Sequence, residues 1–189
     1  NQEVIKIDHS NYTFTVKTRG DEFECQNLIN AAGLYADEIS KMLGLDYFYI
    51  LPRKGEYILF DKNALDLNKI LFPMPTKVSK GILICPTMHD NSFAGPNADN
   101  IVDKEDIATT SSGLKEVLEG SKQLIPDLPA RSSIRNFAGL RAVADTHDFI
   151  IDNTEIYGFI NVAGILSPGL TSCYAIAEKV EGFLELLGV

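Results

Sequence analysis

The sequence predicts a mixed α+β and α/β chain, in which a mostly antiparallel sheet with helices is inserted between two pieces of an α/β layer. Three observations carry that prediction. Near the start, the apolar pair Leu28-Ile29 runs into Asn30-Ala31-Ala32-Gly33 and an amphipathic stretch. Near the end, Phe159–Val162 runs through Ser167-Pro168-Gly169 into a long apolar-periodic segment. Strand, small-residue turn and helix, met twice, is how α/β layers are built. Between them the composition shifts to short apolar runs separated by Pro and Gly, the pattern of an antiparallel sheet.

The elements follow in order. Val4–Ile7 reads as a strand, and after a His9-Ser10-Asn11 turn Tyr12, Phe14 and Val16 alternate with Thr13, Thr15 and Lys17. That is the period of a half-buried strand. Arg19-Gly20-Asp21 turns the chain, Phe23 and Cys25 alternate on the return, and a buried strand spans Leu28–Ala31. Leu34, Tyr35, Ile39, Met42 and Leu43 suit a helix face, with Gly44 where a C-cap glycine belongs. Short strands are expected at Tyr47–Leu51, Tyr57–Phe60, Ile70–Phe72, Ile82–Cys85 and Ser92–Ala94, punctuated by Pro52, Gly55, Pro73, Pro75, Gly81, Pro86, Gly95 and Pro96. Thr110, Ser111 and Ser112 are N-cap candidates for a helix carrying Leu114, Val117, Leu118, Ser121 and Leu124, which Pro126 ends. Strands at Ser133–Val143, Phe149–Ile151 and Phe159–Val162 precede a final helix, about Leu170 to Leu187, with Leu170, Cys173, Ala177, Val180, Leu184 and Leu187 facing inward.

The bulk numbers narrow the function classes. At 189 residues the chain holds one large domain or two small ones. A formal charge of -9 with no Lys/Arg-rich run argues against nucleic-acid binding. No apolar run reaches the ~18 residues that span a bilayer. Cys25, Cys85 and Cys173 are far apart, as buried small hydrophobes in a reducing cytosol would be. His9, His89 and His147 are scattered without ligand spacing, so no metal site is expected.

The segments Asn30–Asp37 and Phe159–Thr171, with Pro52-Arg53-Lys54-Gly55-Glu56-Tyr57, Pro86-Thr87, Gly95-Pro96-Asn97-Ala98 and Phe137-Ala138-Gly139-Leu140-Arg141-Ala142, resemble the D-amino-acid-oxidase-like superfamily of FAD-dependent oxidoreductases. Within it the chain is most similar to the glycerol-3-phosphate dehydrogenase branch, with L-2-hydroxyglutarate oxidase a near cousin. The resemblance covers nearly the whole sequence. It departs in lacking the G-x-G-x-x-G turn that holds the FAD pyrophosphate, which implies a fragment whose N-terminal FAD-binding segment lies elsewhere in the same polypeptide. The implied domains are 1–46 and 145–189, parts of a Rossmann-like FAD-binding domain, and 47–144, a substrate-binding domain.

The resemblance also implies site residues. Ala31, Ala32 and Gly33 would lie against FAD, and Gly164, Ile165, Gly169, Leu170 and Thr171 would face the pyrimidine edge of the flavin, where free helix N–H groups favour negative charge. Read without the resemblance, the second segment is an ordinary strand-turn-helix. Asp37 reads as a surface helix residue in preference to a polar contact of the cofactor. Arg141, after Gly139, would hold the anionic group of the substrate, since a guanidinium can offer two parallel hydrogen bonds; the alternative is an ion pair with Asp145 or Asp148. Arg53 and Lys54 are a second cationic pair, equally readable as a solvated turn. No residue stands out as catalytic base; His89, in a hairpin turn, and His147 read as surface residues.

The leading functional expectation is FAD-dependent oxidation of an anionic secondary alcohol, foremost sn-glycerol 3-phosphate to dihydroxyacetone phosphate, with electrons passed to a separate acceptor. The fragment alone would be inactive. L-2-hydroxyglutarate or amino-acid oxidation is the alternative, and a non-catalytic ligand-binding module the third reading. The implied location is cytoplasmic, or peripheral at a membrane.

Overall fold

The computed structural model describes residues 2–74 and 81–189, so Pro75 lies outside the described residues. In chain order the strands and helices are β1 (Val4–Ser10), β2 (Thr13–Thr18), β3 (Glu22–Cys25), β4 (Leu28–Asn30), α1 (Ala36–Met42), β5 (Ile50–Phe60), β6 (Leu83–Pro86) and β7 (Ser92–Gly95). They continue with β8 (Asp99–Asn100), α2 (Ser111–Leu124), β9 (Ser133–Ala144), β10 (Ile150–Asn153), β11 (Phe159–Ala163) and α3 (Gly169–Leu186). The chain divides into two compact units, Asn1–Leu51 with Ala142–Val189, and Pro52–Arg141, whose boundaries fall inside β5 and β9.

In the first unit β1, β2 and β3 form an antiparallel meander. The β1–β2 turn is Asn11-Tyr12, both at positive φ, as a two-residue hairpin turn requires. Ile7, Phe14 and Val16 face Leu45 and Phe159 in one core cluster. A second sheet runs β10-β11-β4, with β11 antiparallel to β10 and parallel to β4. Helix α1 ends as its glycine predicts. Gly44 takes φ +83, its N–H reaches the Lys41 carbonyl at 2.9 Å, and the Leu45 N–H reaches Ser40 at 3.2 Å. This closes off the last carbonyls and buries Leu45 in the core.

In the second unit the sheet order is β6-β7-β5-β8, with β9 also pairing β5, and its described pairings are antiparallel. Helix α2 buries Gly113, Val117 and Ser121, four residues apart, and Val117 packs in one cluster with Ile58, Phe60, Ile82, Ile84 and Ala94. Each fully buried aliphatic or aromatic side chain there contributes about 1.5–3 kcal/mol relative to exposure. The helix begins at Thr110, whose Oγ1 accepts from the Gly113 N–H at 3.0 Å.

Several expectations change. The strands expected at Tyr47–Leu51 and Tyr57–Phe60 are one eleven-residue strand, β5, running through Pro52 and Gly55. Pro52 sits near its start, where a missing N–H is tolerated, and Gly55 is a point of close approach rather than a turn. Of the expected strand Ile70–Phe72 only an isolated bridge, Leu71 to Ile84, forms. Asp37 is buried, not on the surface, because its Oδ2 accepts the Ile50 N–H at 3.1 Å. Cys85 is buried and Cys25 half-buried, and burial pushes both thiols up, but Cys173 is exposed. On α3 only Gly169 and Val180 are buried; Leu170 is 89% exposed, and Cys173 and Ala177 are exposed too. Helical periodicity shows which residues share a face, not whether the chain at hand covers it. No helix among the described residues is long and apolar enough to cross a membrane.

Candidate functional site

Two groups of residues are positioned for chemistry, one in each unit. In the first unit the parallel pairing of β4 with β11 sets Leu28 opposite Phe159 and Asn30 opposite Asn161. β4 stops at Asn30 while the parallel β11 runs on to Ala163, so the segments 31–33 and 164–171 both leave from the carboxyl end of the sheet. The carboxyl ends of parallel strands are where α/β layers bind ligands. Beneath that end lies a buried amide pair that the sequence reading missed. Asn30 Nδ2 donates to Asn161 Oδ1 and to the Ala36 carbonyl, both at 2.8 Å, while Asn30 Oδ1 accepts from the Ala32 N–H at 3.3 Å. Asn161 Nδ2 donates to Tyr47 Oη at 2.8 Å and Ser40 Oγ at 3.2 Å. The only trace in the sequence was one Asn in each of two short apolar runs, too common a pattern to single out.

Above this pair Ala31, Ala32 and Gly33 are exposed, and Gly33 takes φ +59 with open space where a Cβ would stand. Gly164 is at φ +66, and a Cβ there would meet the Ala144 Cβ at 2.8 Å; one on Gly169 would meet Ile165 Cγ2 at 2.5 Å. Packing within the unit thus accounts for both glycines. Ile165 is half-buried, whereas Leu170 and Thr171 are exposed in the first turn of the eighteen-residue α3. Among the described residues the N–H groups of Leu170 and Thr171 have no partner, while that of Ser172 reaches Pro168 O at 3.1 Å. Two free donors at the positive end of a helix suit an electron-rich carbonyl edge such as that of a flavin. The residues present fit that part of FAD.

Tyr47 closes the network by donating to Asp152 Oδ2 at 3.0 Å. Burial first, and the Asp152 carboxylate with it, push the Tyr47 phenol up to about 12 from an ordinary 10.0, against the lowering effect of the Asn161 bond. The folded value exceeds the unfolded one, so the stability this phenol contributes is complete below pH 10.0 and is lost as pH rises through about 12. Alkaline difference absorbance of the wild type against Tyr47→Phe should show one ionisation near 12. Ionisation at the ordinary tyrosine value would overturn the network.

In the second unit, alternation along β5 puts Arg53, Gly55 and Tyr57 on one face and the buried Lys54 and Glu56 on the other. Arg141, half-buried on β9, donates Nε to the Arg53 carbonyl at 3.3 Å and Nη2 to the carbonyls of Lys54 at 3.2 Å and Asn97 at 2.9 Å. These partners are carbonyls and carry no counter-charge, and burial, with Arg53 adding to it, lowers the Arg141 pKa. Nη1 has no partner among the described residues. Asp145, one alternative partner in the sequence reading, accepts from the Tyr49 N–H at 3.2 Å instead. Next to Arg141, Tyr57 stacks on Phe137 with ring centroids 4.9 Å apart and 8° between planes. Burial raises the Tyr57 phenol while the Arg141 charge opposes it. Gly139, between Phe137 and Arg141 on β9, is exposed and has nothing within 4 Å of where a Cβ would be.

The other cations differ. Arg53 Nε donates to Asn100 Oδ1 at 2.8 Å and stays half-exposed. Lys54 is 3% exposed, and its Nζ lies 2.8 Å from Asp106 Oδ2, a bond that raises its pKa and lowers that of Asp106. Lys54 is therefore committed to a carboxylate, and Arg141 and Arg53 are the cations left for a ligand. Sequence reasoning missed Asn97, Tyr57 and Phe137 as parts of this site. Asn97 was legible only as a residue of the Gly95-Pro96-Asn97-Ala98 segment. His89 and His147 are exposed. Among the described residues no three His, Cys, Asp or Glu side chains group as a metal site would need.

Comparison with known proteins places the chain in a family. The chain is 41% identical over 185 residues to a glycerol 3-phosphate dehydrogenase of Caloramator mitchellensis, covering 97% of the chain and 38% of that protein. It is 34% identical over 194 residues to a glycerol 3-phosphate oxidase of Mycoplasma genitalium, covering 98% and 50% respectively. The structure of dithionite-reduced L-alpha-glycerophosphate oxidase from Mycoplasma pneumoniae, with FAD bound, superposes with a TM-score of 0.89 at 30% identity, covering 97% of this chain and 50% of that one. The chain thus spans half or less of the length of these relatives. The pattern that defines the DAO family, described as FAD dependent oxidoreductase, matches residues 1–181. With its parallel strand pair, free helix donors and matched sequence, this chain belongs to the DAO family of FAD-dependent oxidoreductases.

Proposed function

We propose that the chain is the substrate-binding and flavin-facing portion of an FAD-dependent enzyme that oxidises sn-glycerol 3-phosphate to dihydroxyacetone phosphate. In this reading residues 1–46 and 145–189 belong to the FAD-binding domain and 47–144 to the substrate-binding domain. A further segment of the same polypeptide carries the pyrophosphate-binding turn; the relatives' greater length and the uncovered face of α3 at Leu170 and Tyr174 support this. A separate acceptor takes the electrons, in the cytoplasm or at a membrane surface.

The observation that carries the proposal is Arg141: a half-buried guanidinium held by three carbonyls, without a counter-charge, with both Nη1 donors unassigned. Such a cation is completed by an anion. Arg53 supplies a second positive charge, the Tyr57–Phe137 stack an apolar wall, and Gly139 the open space for a small molecule. Bound FAD supplies the acceptor for the hydride that leaves the carbinol carbon. Ala31, Ala32 and Gly33 would lie along it, and the Leu170 and Thr171 N–H groups, reached through Gly164, Ile165 and Gly169, would meet its pyrimidine edge. These residues bind and orient; none of them is assigned the alcohol proton.

The test is the visible spectrum of the full-length protein before and after anaerobic addition of glycerol 3-phosphate. Bleaching of a flavin band is the expected result. A flavin that bleaches only with L-2-hydroxyglutarate or an amino acid would move the substrate. A colourless protein that FAD cannot reconstitute would overturn the reading.

A further inference from the structure

We propose that Gly55 and Asn97 are positioning residues that aim the Arg141 guanidinium, so that the substrate anion is gripped end-on through Nη1; this rests on Arg141 being the anion holder. A guanidinium has five N–H donors. Here Nε and both hydrogens of Nη2 face the carbonyls of residues 53, 54 and 97, which leaves the two hydrogens of Nη1. Both two-nitrogen edges of the fork include a nitrogen that is already engaged. The side-on grip usual for Arg with phosphate or carboxylate is therefore spent on the protein's own backbone, and the free end is a single nitrogen.

Two residues make that seat possible. A Cβ on Gly55 would stand 3.0 Å from Arg141 Nη2, 2.7 Å from the Pro96 Cβ and 3.4 Å from the Asn97 carbonyl. Gly55 is not at positive φ, so what it supplies is room, for Pro96 first and for the guanidinium beside it, not a special backbone conformation. Asn97 is 3% exposed, and its side-chain amide and its carbonyl are all bonded. Its Oδ1 accepts the Glu56 N–H at 2.8 Å, its Nδ2 donates to Glu116 Oε2 at 3.2 Å, and its carbonyl, fixed by these two anchors, accepts from Arg141 at 2.9 Å. Residues 55 to 56 of β5 and residue 97 thus hold one another and the cation. An alanine at 55 crowds Pro96 and the guanidinium together, so the segment that carries residue 97 and the cation must both shift, and an alanine at 97 frees the carbonyl that orients the guanidinium.

The test is steady-state kinetics of the full-length enzyme with glycerol 3-phosphate, and with uncharged glycerol as control, for Gly55→Ala, Asn97→Ala and each combined with Arg141→Ala. Both single variants should raise KM for glycerol 3-phosphate by about tenfold, the scale expected where residues share one partner. They should raise KM more than they lower kcat, and discriminate less between glycerol 3-phosphate and glycerol. In the Arg141→Ala background neither should add a further loss. Losses that multiply in the double variants, or that strike glycerol equally, would overturn positioning in favour of a merely structural role. If Arg141→Ala raises KM and neither single variant does, positioning alone falls. If Arg141→Ala itself leaves KM unchanged, the anion-holder reading falls first. Should Gly55→Ala fail to fold, Asn97→Ala and Asn97→Ser carry the same comparison.

Discussion

Replacing Arg141 by alanine is expected to weaken glycerol 3-phosphate binding by about 2 kcal/mol, roughly 30-fold, the scale of a lost hydrogen bond to a charged group. The loss should appear in KM and in kcat/KM measured on the full-length enzyme. Two effects add. The substrate anion loses the Nη1 donors, and the carbonyls of Arg53, Lys54 and Asn97 lose the donors that now satisfy them. The first effect depends on the substrate's charge and the second does not, so a fall in thermal stability will accompany the kinetic loss without explaining it. Arg141→Lys separates them further. It restores a positive charge, but an ammonium cannot face three carbonyls in a planar array and still present a free end. Partial recovery of KM with little recovery of thermal stability is the expected pattern. Unchanged kcat/KM in Arg141→Ala would remove Arg141 from the substrate site.

The parts legible in the sequence are those set by local chemistry. Alternation at Tyr12–Lys17 gave β2, the Thr110 cap gave the start of α2, and Gly44 gave the end of α1. What was not legible depends on partners distant in sequence. Pro52 and Gly55 read as breaks because the sequence does not show that β8 and Arg141 come to meet them. Leu170, Cys173 and Ala177 read as buried because an apolar stripe looks the same whether or not it is covered. The same holds in the site. Arg141 could be singled out as a cation needing an anion, but that its two-nitrogen edges are turned to backbone carbonyls, and that Lys54 belongs to Asp106, are facts of three-dimensional placement. The Asn30–Asn161 pair, 131 residues apart, has no local signature.

Glu56 illustrates how far a motif residue can lie from the role its neighbours suggest. It follows Arg53, Lys54 and Gly55 in a segment rich in functional residues, yet it points to the opposite face of β5 and is fully buried. Its Oε2 accepts the Thr110 N–H and its Oε1 the Thr110 hydroxyl, both at 2.8 Å, and a Cβ on Gly113 would come within 2.3 Å of Oε1. A carboxylate is thus set against the first turn of α2, where the helix dipole and the free N–H groups favour it. Glu56→Ala removes the acceptor for both Thr110 donors; the half-buried Thr110 N–H loses its partner, and the hydroxyl is left with Ser112 Oγ at 3.2 Å. The expected cost is about 3 kcal/mol, two bonds to a charged group less what water recovers. Glu56→Gln should cost less but not nothing. Its amide oxygen can accept from the Thr110 N–H, but its NH2 cannot accept the Thr110 hydroxyl proton, which must turn to Ser112 or water. Urea unfolding of the three proteins should rank them wild type, glutamine, alanine. Because Glu56 donates its N–H to Asn97, whose carbonyl seats Arg141, loosening α2 at its start should also raise KM for glycerol 3-phosphate. If alanine at 56 proves as stable as the wild type, the carboxylate is not what anchors the helix.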